Sequence, residues 1–243
     1  MAAVRPATPR RIANRERLIF ALDVPDLAGA KKLVERLGDS VAFYKIGLEL
    51  ATSRHYFELL DWLLDREKKV FADLKLHDIP ATVTAAVRQL ARCGATFLTV
   101  HGDRAVAEAA AQAKGEHLKV LAVTVLTSVA AADLAEMGIA LSVEELVLKR
   151  ARHSVAAGCD GVIASGLEAA PLRAALPAQA LIVTPGIRPA DGARTDDQRR
   201  VVTPTLAFKS GADHIVVGRP IRDAADPYGA ASAIQEEIAG VFG

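Results

Sequence analysis

The chain has 243 residues, a hydrophobic fraction of 51% and a formal net charge of +1 at pH 7. This length fits one large domain or two small ones, and the near-zero charge argues against nucleic acid or an anionic membrane as a partner. No apolar run approaches the ~20 residues that span a bilayer, and the two cysteines, far apart and in no CxxC motif, indicate a reducing, cytoplasmic setting.

The N-terminal segment, residues 1–17, is rich in arginine and has no apolar core of the kind found in secretory signals. We expect a flexible, solvent-exposed tail here, with a transit peptide as the alternative. A single folded domain is expected over residues 18–243.

Eight short apolar segments alternate with segments of helical periodicity along that domain. The predicted strands are residues 18–23, 41–47, 69–76, 96–101, 119–127, 161–165, 181–186 and 214–219. The predicted helices are residues 27–37, 48–66, 81–93, 103–114, 130–136, 143–157, 168–175, 203–210 and 228–241. Asp26 is expected to cap the first of these helices and Gly38 to end it.

Short apolar strands that alternate with helices are typical of a parallel sheet buried on both faces. Eight such units in a chain of this length predict an α/β fold of the closed (β/α)8, or TIM, barrel type. The alternative is an open doubly wound sheet, which would carry a glycine-rich phosphate turn after its first strand. The sequence there reads Asp23-Val24-Pro25-Asp26, which favours the barrel.

The third predicted strand carries the most informative polar residues. Because strand side chains alternate between faces, Asp73 and Lys75 share one face and should nearly touch. Asp78 follows just past the end of the strand. A structural ion pair is one interpretation, but a buried pair stabilises a fold poorly. We therefore favour a carboxylate–ammonium–carboxylate array that tunes the lysine and acts on a charged substrate.

Polar residues or glycines also lie at the ends of the other strands, and a closed barrel brings these positions to one rim, where barrel active sites lie. The candidates at this rim are Asp23, Lys45, Asp73, Lys75, Thr127, Ser165, Arg188, Gly218 and Arg219. The loops after the last two strands frequently bind phosphate in such barrels, and Arg219 offers a guanidinium fork that matches phosphate oxygens. The polar segment 188–200, which contains Gln198, predicts a lid. We assign no role to His101.

The spacing Asp73-x-Lys75-x-x-Asp78-Ile-Pro-x-Thr82, together with the motifs at residues 184–189 and 217–220, resembles the orotidine 5′-phosphate decarboxylase family over nearly the whole chain. The resemblance implies a decarboxylation of orotidine 5′-phosphate to uridine 5′-phosphate, the last step of pyrimidine synthesis, without cofactor or metal. It also implies a homodimer in which Asp78 and Thr82 of one subunit complete the site of the other.

The same resemblance implies a role for each matched residue. Lys75 would protonate the carbon that loses carbon dioxide, Asp73 would lie beside the departing carboxylate, and Lys45 and Asp78 would complete the charge array. The implied binding residues are Asp23 and Lys45 for the ribose, Thr127 and Ser165 for the pyrimidine, Arg188, Gln198, Gly218 and Arg219 for the phosphate, with Asp73 and Thr82 as further substrate contacts.

Two alternatives stay open at this point. Sister barrels that act on sugar phosphates, the keto-gulonate phosphate decarboxylases and hexulose phosphate synthases, resemble this chain in the DxKxxD spacing. They use Mg²⁺ and carry a glutamate at the end of the second strand, where this chain has Lys45. A non-catalytic phosphate-binding barrel would account for the phosphate residues but would leave the charge array without a function.

Overall fold

The computed structural model describes residues 12–188 and 202–243. Eight parallel strands form a closed barrel in chain order, so that the first strand pairs with both the second and the last. The strands are β1 Leu18–Ala21, β2 Phe43–Ile46, β3 Lys69–Leu76, β4 Phe97–His101, β5 Lys119–Val123, β6 Gly161–Ile163, β7 Leu181–Thr184 and β8 His214–Val217. The predicted (β/α)8 barrel is confirmed.

Helices surround the barrel and connect its strands. They are α1 Asn14–Arg17, α2 Leu27–Leu37, α3 Leu48–Ala51, α4 Tyr56–Leu64, α5 Pro80–Arg92, α6 Arg104–Ala113, α7 Ala131–Glu136, α8 Val143–Ala156, α9 Ala169–Ala175, α10 Pro204–Lys209, α11 Arg219–Arg222 and α12 Pro227–Phe242, with a 3-10 turn at Gly166–Glu168. In the described ranges no helix has the length and apolar character needed to cross a bilayer.

Strand residues alternate between the barrel interior and the layer under the helices. On β1, Ile19 lies in the interior cluster with Phe43 and Phe97, whereas Phe20 packs in the cluster beneath the helices. The rings of Phe43 and Phe97 lie 4.9 Å apart between centroids and fill the interior near the amino ends of the strands. The aromatic layer of the interior therefore lies at the amino ends of the strands.

The structure shows the predicted capping residue and the predicted terminal glycine at the two ends of α2. Asp26 Oδ1 accepts a hydrogen bond from the Gly29 N–H at 2.7 Å, which satisfies a main-chain donor in the first turn. Gly38 follows the last residue of α2 with a φ of 52°, a left-handed conformation that glycine adopts without steric cost. The predicted bounds of this helix are confirmed.

The single helix predicted over residues 48–66 is wrong: the structure has two helices, α3 and α4, with a break between them. Thr52 and Ser53 donate side-chain hydrogen bonds to main-chain carbonyls at 3.1 and 2.7 Å. Ser53 Oγ also accepts from the His55 N–H at 3.3 Å. Such local bonds compete with helical hydrogen bonding, so this polar segment interrupts an otherwise amphipathic pattern.

The N-terminal segment enters the fold earlier than the predicted domain boundary. Residues 1–11 of the expected tail lie outside the described part of the chain, but α1 lies against the amino ends of the strands. Glu16 Oε2 accepts from Lys69 Nζ at 2.6 Å, and its carbonyl oxygen accepts from His214 Nδ1 at 2.9 Å. The Arg17 guanidinium lies 3.6 Å from the centroid of the Phe242 ring. The folded domain therefore includes residues 12–17.

Candidate functional site

A cavity of about 500 Å³ opens at the carboxyl ends of the strands. This volume is within the usual range for sites that bind small molecules. The structure places most of the predicted site residues in its lining: Asp23, Lys45, Asp73, Lys75, Thr127, Arg188, Gly218 and Arg219. The clustering expected from the ends of separate strands is therefore observed.

Four charged side chains form a continuous line of ion pairs in this cavity. Lys45 Nζ lies 2.9 Å from Asp23 Oδ1 and 3.4 Å from Asp73 Oδ2. Lys75 Nζ lies 2.8 Å from the other carboxylate oxygen of Asp73. The side chains of Lys45 and Asp73 are 11% and 13% exposed, whereas that of Lys75 is 30% exposed. Of the two lysines, Lys75 therefore has the more solvent-exposed side chain.

The electrostatic environment keeps the buried members of this line charged. Burial alone would raise the pKa of Asp73, but the charges of Lys45 and Lys75, with hydrogen bonds from Lys75 and Thr99, bring that pKa below its usual value. Burial would likewise lower the pKa of Lys45, but Asp73 and Asp23 raise it above its usual value. The cavity thus presents fixed charges of alternating sign at neutral pH.

A bulge in β3 brings Lys75 to its position. The strand pairs regularly with β4 at Phe71 and Ala72, and the register then shifts before Leu76. Lys75 has a φ of 48°, in the left-handed region that residues with a β-carbon rarely adopt. The expected proximity of Asp73 and Lys75 is observed, but regular alternation of side chains, on which the expectation was based, does not continue through this segment.

The cavity wall formed by β7 and β8 carries the predicted phosphate residues. Arg188 follows β7, and one of its guanidinium nitrogens donates to the Ile187 carbonyl at 2.9 Å. Gly218 and Arg219 stand at the start of α11, directly after β8. Two arginines on adjacent strand ends give this side of the cavity a positive character. The predicted lid beyond Arg188, with Gln198, lies outside the described residues.

Ser165 is a buried turn residue in this structure. Its side chain is fully buried, and its hydroxyl oxygen accepts from the Leu167 N–H at 3.3 Å. Its own N–H donates to Glu168 Oε2 at 2.8 Å. Ser165 thereby caps the 3-10 turn after β6, and it is not among the residues that line the cavity.

Asp78 and Thr82 lie on the surface rather than in the cavity of their own chain. Both are exposed, and Asp78 Oδ1 accepts a hydrogen bond from the Ile79 N–H at 2.7 Å. Ile79 between them is 66% exposed. The structure of one chain therefore brings together Lys45, Asp73 and Lys75 but not the fourth predicted member of the array.

Two residues at the site were not predicted from the sequence. Arg222 lines the cavity from α11 and donates to the Asp23 carbonyl at 2.9 Å; its position three residues after Arg219 was the available signal. Thr99 Oγ1 donates to Asp73 Oδ1 and accepts from the Lys75 N–H, both at 2.9 Å. A polar residue in the middle of an apolar strand was the signal for Thr99.

A histidine cluster lies beside the array, at the ends of β3 and β4. The rings of His77 and His101 are 4.8 Å apart between centroids, and His77 Nε2 lies 3.1 Å from Asp103 Oδ2. Burial, followed by the charges of His77 and Arg150, lowers the pKa of His101, although Asp103 opposes the shift. Donor atoms of the three residues lie within 4.8 Å of one another. Because His77 already contacts Asp103 at 3.1 Å, the cluster is a polar part of the rim.

Comparison with known proteins agrees with this geometry. The family model described as "Orotidine 5′-phosphate decarboxylase / HUMPS family" matches residues 16–234. A protein of Methylococcus capsulatus named orotidine 5′-phosphate decarboxylase is 56% identical over 227 residues, which cover 93% of each chain. One of the same name from Stenotrophomonas maltophilia is 55% identical over 95% of this chain and 96% of its own.

Solved structures give the same result. The crystal structure of orotidine 5′-phosphate decarboxylase from Lactobacillus acidophilus matches with a TM-score of 0.81 and 36% identity, over 92% of this chain and 99% of that one. The enzyme of the same name from Pyrococcus horikoshii matches with a TM-score of 0.72 and 28% identity, over 92% and 100% of the two chains. The barrel, the charged cavity and these matches together show that the chain belongs to the orotidine 5′-phosphate decarboxylase / HUMPS family.

Proposed function

We propose that this protein catalyses the decarboxylation of orotidine 5′-phosphate to uridine 5′-phosphate without a cofactor. The observation that carries the proposal is the position of Lys45, whose ammonium nitrogen lies between Asp23 at 2.9 Å and Asp73 at 3.4 Å. The relatives matched over more than nine-tenths of the chain bear the name of this activity.

The position of Lys45 separates this proposal from the sugar-phosphate branch of the family. Those sister barrels carry a glutamate at the end of the second strand and use Mg²⁺. Here an ammonium group occupies that place and forms ion pairs with both neighbouring carboxylates, Asp23 and Asp73. A divalent cation beside it would meet Coulombic repulsion in a poorly solvated site. The donor set therefore suits an alternating charge array better than a metal ion.

The reaction needs a positive charge and a proton at one carbon atom. When the carbon–carbon bond to the carboxylate breaks, carbon dioxide leaves and the electron pair remains on the ring carbon. A fixed ammonium group stabilises this charge as it develops and can then donate its proton to the carbon. Lys75 is suited to this role because it faces the cavity and Asp73 holds it at 2.8 Å. Its partial exposure gives solvent a route to restore the proton.

The rest of the cavity supports the binding of a nucleotide. We assign the phosphate to Arg188, Gly218 and Arg219 and the ribose to Asp23, which lies between the arginine side and the array. Gln198, on the segment outside the described residues, is assigned to the phosphate by resemblance alone. The pyrimidine is assigned to the side that carries Thr127. For Ser165 the support is resemblance alone, because its hydroxyl caps a turn.

A homodimer is part of the proposal. Asp78 and Thr82 are exposed, and a strongly exposed apolar residue, Ile79, lies between them. We propose that this surface meets a second copy of the chain and that Asp78 and Thr82 complete the partner's charge array. We also propose a cytoplasmic location, consistent with two free thiols at Cys93 and Cys159.

The test is a direct assay of the purified protein with orotidine 5′-phosphate, in which loss of the substrate's ultraviolet absorbance is followed with time. We expect turnover that survives exhaustive treatment with EDTA. The matched control is Lys75→Ala, which should leave the absorbance nearly unchanged. Absence of turnover by the wild-type protein would refute the proposal. Loss of turnover on chelation, restored by Mg²⁺, would instead favour the sugar-phosphate branch of the family.

A further inference from the structure

We propose that Thr99 is a positioning residue for the decarboxylation, because its single hydroxyl group holds both the carboxylate of Asp73 and the main chain of Lys75. This inference rests on the proposed function and adds a residue to it. Thr99 is fully buried in the middle of β4 and is not among the residues that line the cavity, so it acts through its two neighbours.

The two hydrogen bonds of Thr99 define the orientation of its hydroxyl group. Oγ1 lies 2.9 Å from Asp73 Oδ1 and 2.9 Å from the main-chain nitrogen of Lys75. A hydroxyl group has one hydrogen to donate and two lone pairs to accept with. Because a carboxylate only accepts and an N–H only donates, Thr99 must donate to Asp73 and accept from Lys75. Both bonds can form together without conflict.

The bond to the Lys75 N–H lies where the sheet does not pair regularly. Between the pairs Ala72–Leu98 and Leu76–Val100, β3 advances four residues while β4 advances two. Thr99 is the β4 residue opposite this bulge. Its side chain therefore supplies the acceptor for a main-chain N–H inside the irregular segment, and a buried N–H left without an acceptor is unfavourable.

The bulge decides where the Lys75 ammonium group lies. Lys75 adopts a φ of 48°, which is unfavourable for a residue with a β-carbon and persists only when neighbouring groups hold it. Thr99 is one such group. The same hydroxyl fixes Asp73 Oδ1, the oxygen to which Lys75 Nζ donates at 2.8 Å. Removing the hydroxyl should loosen both ends of the Asp73–Lys75 pair.

The decisive comparison is between Thr99→Val, which keeps the shape of the side chain but removes the hydroxyl, and Thr99→Ser, which keeps the hydroxyl. Misplacement of a reacting group by about 1 Å can cost about 100-fold in rate, so we expect Thr99→Val to lower kcat by about 10- to 100-fold. KM should change much less, because the phosphate and ribose residues are untouched. Thr99→Ser should retain most of the wild-type kcat.

A second readout does not depend on the activity. The carboxyl carbon of Asp73 can be followed by nuclear magnetic resonance through a pH titration of the free protein. Thr99 is one of the groups that lower the pKa of Asp73, so that pKa should rise in Thr99→Val and stay near the wild-type value in Thr99→Ser. If Thr99→Val does not fold, as judged by circular dichroism, Thr99→Ala replaces it as the variant without a hydroxyl.

Three results would overturn the inference: an unchanged kcat without the hydroxyl, a Thr99→Ser variant as impaired as Thr99→Val, or an Asp73 titration that does not move. The first two require that the wild-type protein turns over orotidine 5′-phosphate. If the wild type is inactive, the proposed function fails, and the Asp73 titration alone decides whether Thr99 holds the pair. The two proposals therefore fail by different observations.

Discussion

The main chain at Gly47 passes so close to Lys45 that a β-carbon on residue 47 would lie 2.9 Å from the lysine ammonium nitrogen. The same carbon would lie 3.2 Å from Asp23 Oδ1. Gly47 has an ordinary extended conformation, with a φ of −99°, so its backbone would accept a side chain. Glycine at this position therefore leaves space for the Lys45–Asp23 pair. Its backbone conformation does not itself require glycine.

Gly47→Ala should lower turnover of orotidine 5′-phosphate while leaving the fold intact. The new methyl group would push against the end of a flexible side chain, so Lys45 should move away from Asp23 at a cost to stability of about 1 kcal/mol or less. Steady-state kinetics and urea unfolding measure the two effects.

The matched control is Gly240→Ala in α12, where a β-carbon would meet nothing within 4 Å. This variant should keep full activity and gain about 0.5–1 kcal/mol of unfolding free energy. A Gly47→Ala variant with wild-type kinetics would show that the position of Lys45 is not critical.

Lys75→Ala and Lys75→Gly should both lose most turnover, because a positioned general acid contributes about 10² to 10⁴-fold and its charge adds to that effect. Their stabilities should differ, because Lys75 has a φ of 48° and glycine accepts this conformation without steric cost. We expect Lys75→Gly to unfold at a higher urea concentration than Lys75→Ala, by about 1 kcal/mol of unfolding free energy. Equal stabilities would show that the bulge relaxes when the lysine is removed.

A mixture of Lys75→Ala and Asp78→Ala should recover activity if Asp78 reaches into the partner's site. A hybrid dimer would then contain one site with both residues intact, and random exchange should restore roughly a quarter of the wild-type sites. Activity is measured after subunit exchange has been demonstrated with a size or affinity tag. A mixture of Lys75→Ala and Lys75→Gly serves as the control, since none of its dimers has an intact site. Exchange without recovery would mean that each chain builds its own site.

His214 should make the stability of the fold depend on pH below neutrality. Burial, with smaller effects of Arg17 and Lys69, lowers the pKa of His214 to about 4, although its bond to the Glu16 carbonyl opposes the shift. An unfolded histidine has a pKa of about 6.5. Between these values only the unfolded chain takes up the proton, so the stability from this residue is complete above about pH 6.5 and falls as the pH drops towards 4.

The difference between the folded and unfolded pKa values of His214 corresponds to about 3 kcal/mol of unfolding free energy. Urea unfolding at pH 7 and pH 4.5 should therefore show that the wild type loses more stability on acidification than His214→Leu, whatever their absolute stabilities. Replacement of the exposed His117 by glutamine is the control and should leave the pH dependence as in the wild type. Parallel curves for the wild type and His214→Leu would contradict the assignment of His214 as a buried neutral residue.

The features that could be predicted from the sequence are those set by local patterns. The bounds of α2 follow from a capping aspartate and a terminal glycine, and the barrel follows from the alternation of apolar strands with helices. The break between α3 and α4 depends on whether Thr52 and Ser53 bond to solvent or to their own main chain. The periodicity of the apolar residues does not contain that information.

Most of the residues at the rim and the proximity of Asp73 to Lys75 were predicted from the sequence, but the hydrogen bonds that hold these residues in place were not. The residues at the end of each strand can be predicted from the sequence of that strand alone. That Ser165 turns inward to cap a 3-10 turn, and that Thr99 bridges Asp73 and the Lys75 main chain, depends on packing between strands that are distant in sequence. A register shift between β3 and β4 is likewise invisible in either strand considered alone.

The order of the strands gives the cavity two unlike halves. The charged groups lie on β2 and β3 or follow β7, β8 and β1, and these five strands are consecutive around the closed barrel. The facing side carries Val123, Val125 and Ile163 from the region of β5 and β6. Under the proposed function, a ring that carries a carboxylate would be favoured with this group towards the lysines of β2 and β3 and away from the apolar side. The order in which the strands follow one another around the barrel would then decide which side of the ring faces Lys75, before any single hydrogen bond to the ring is formed.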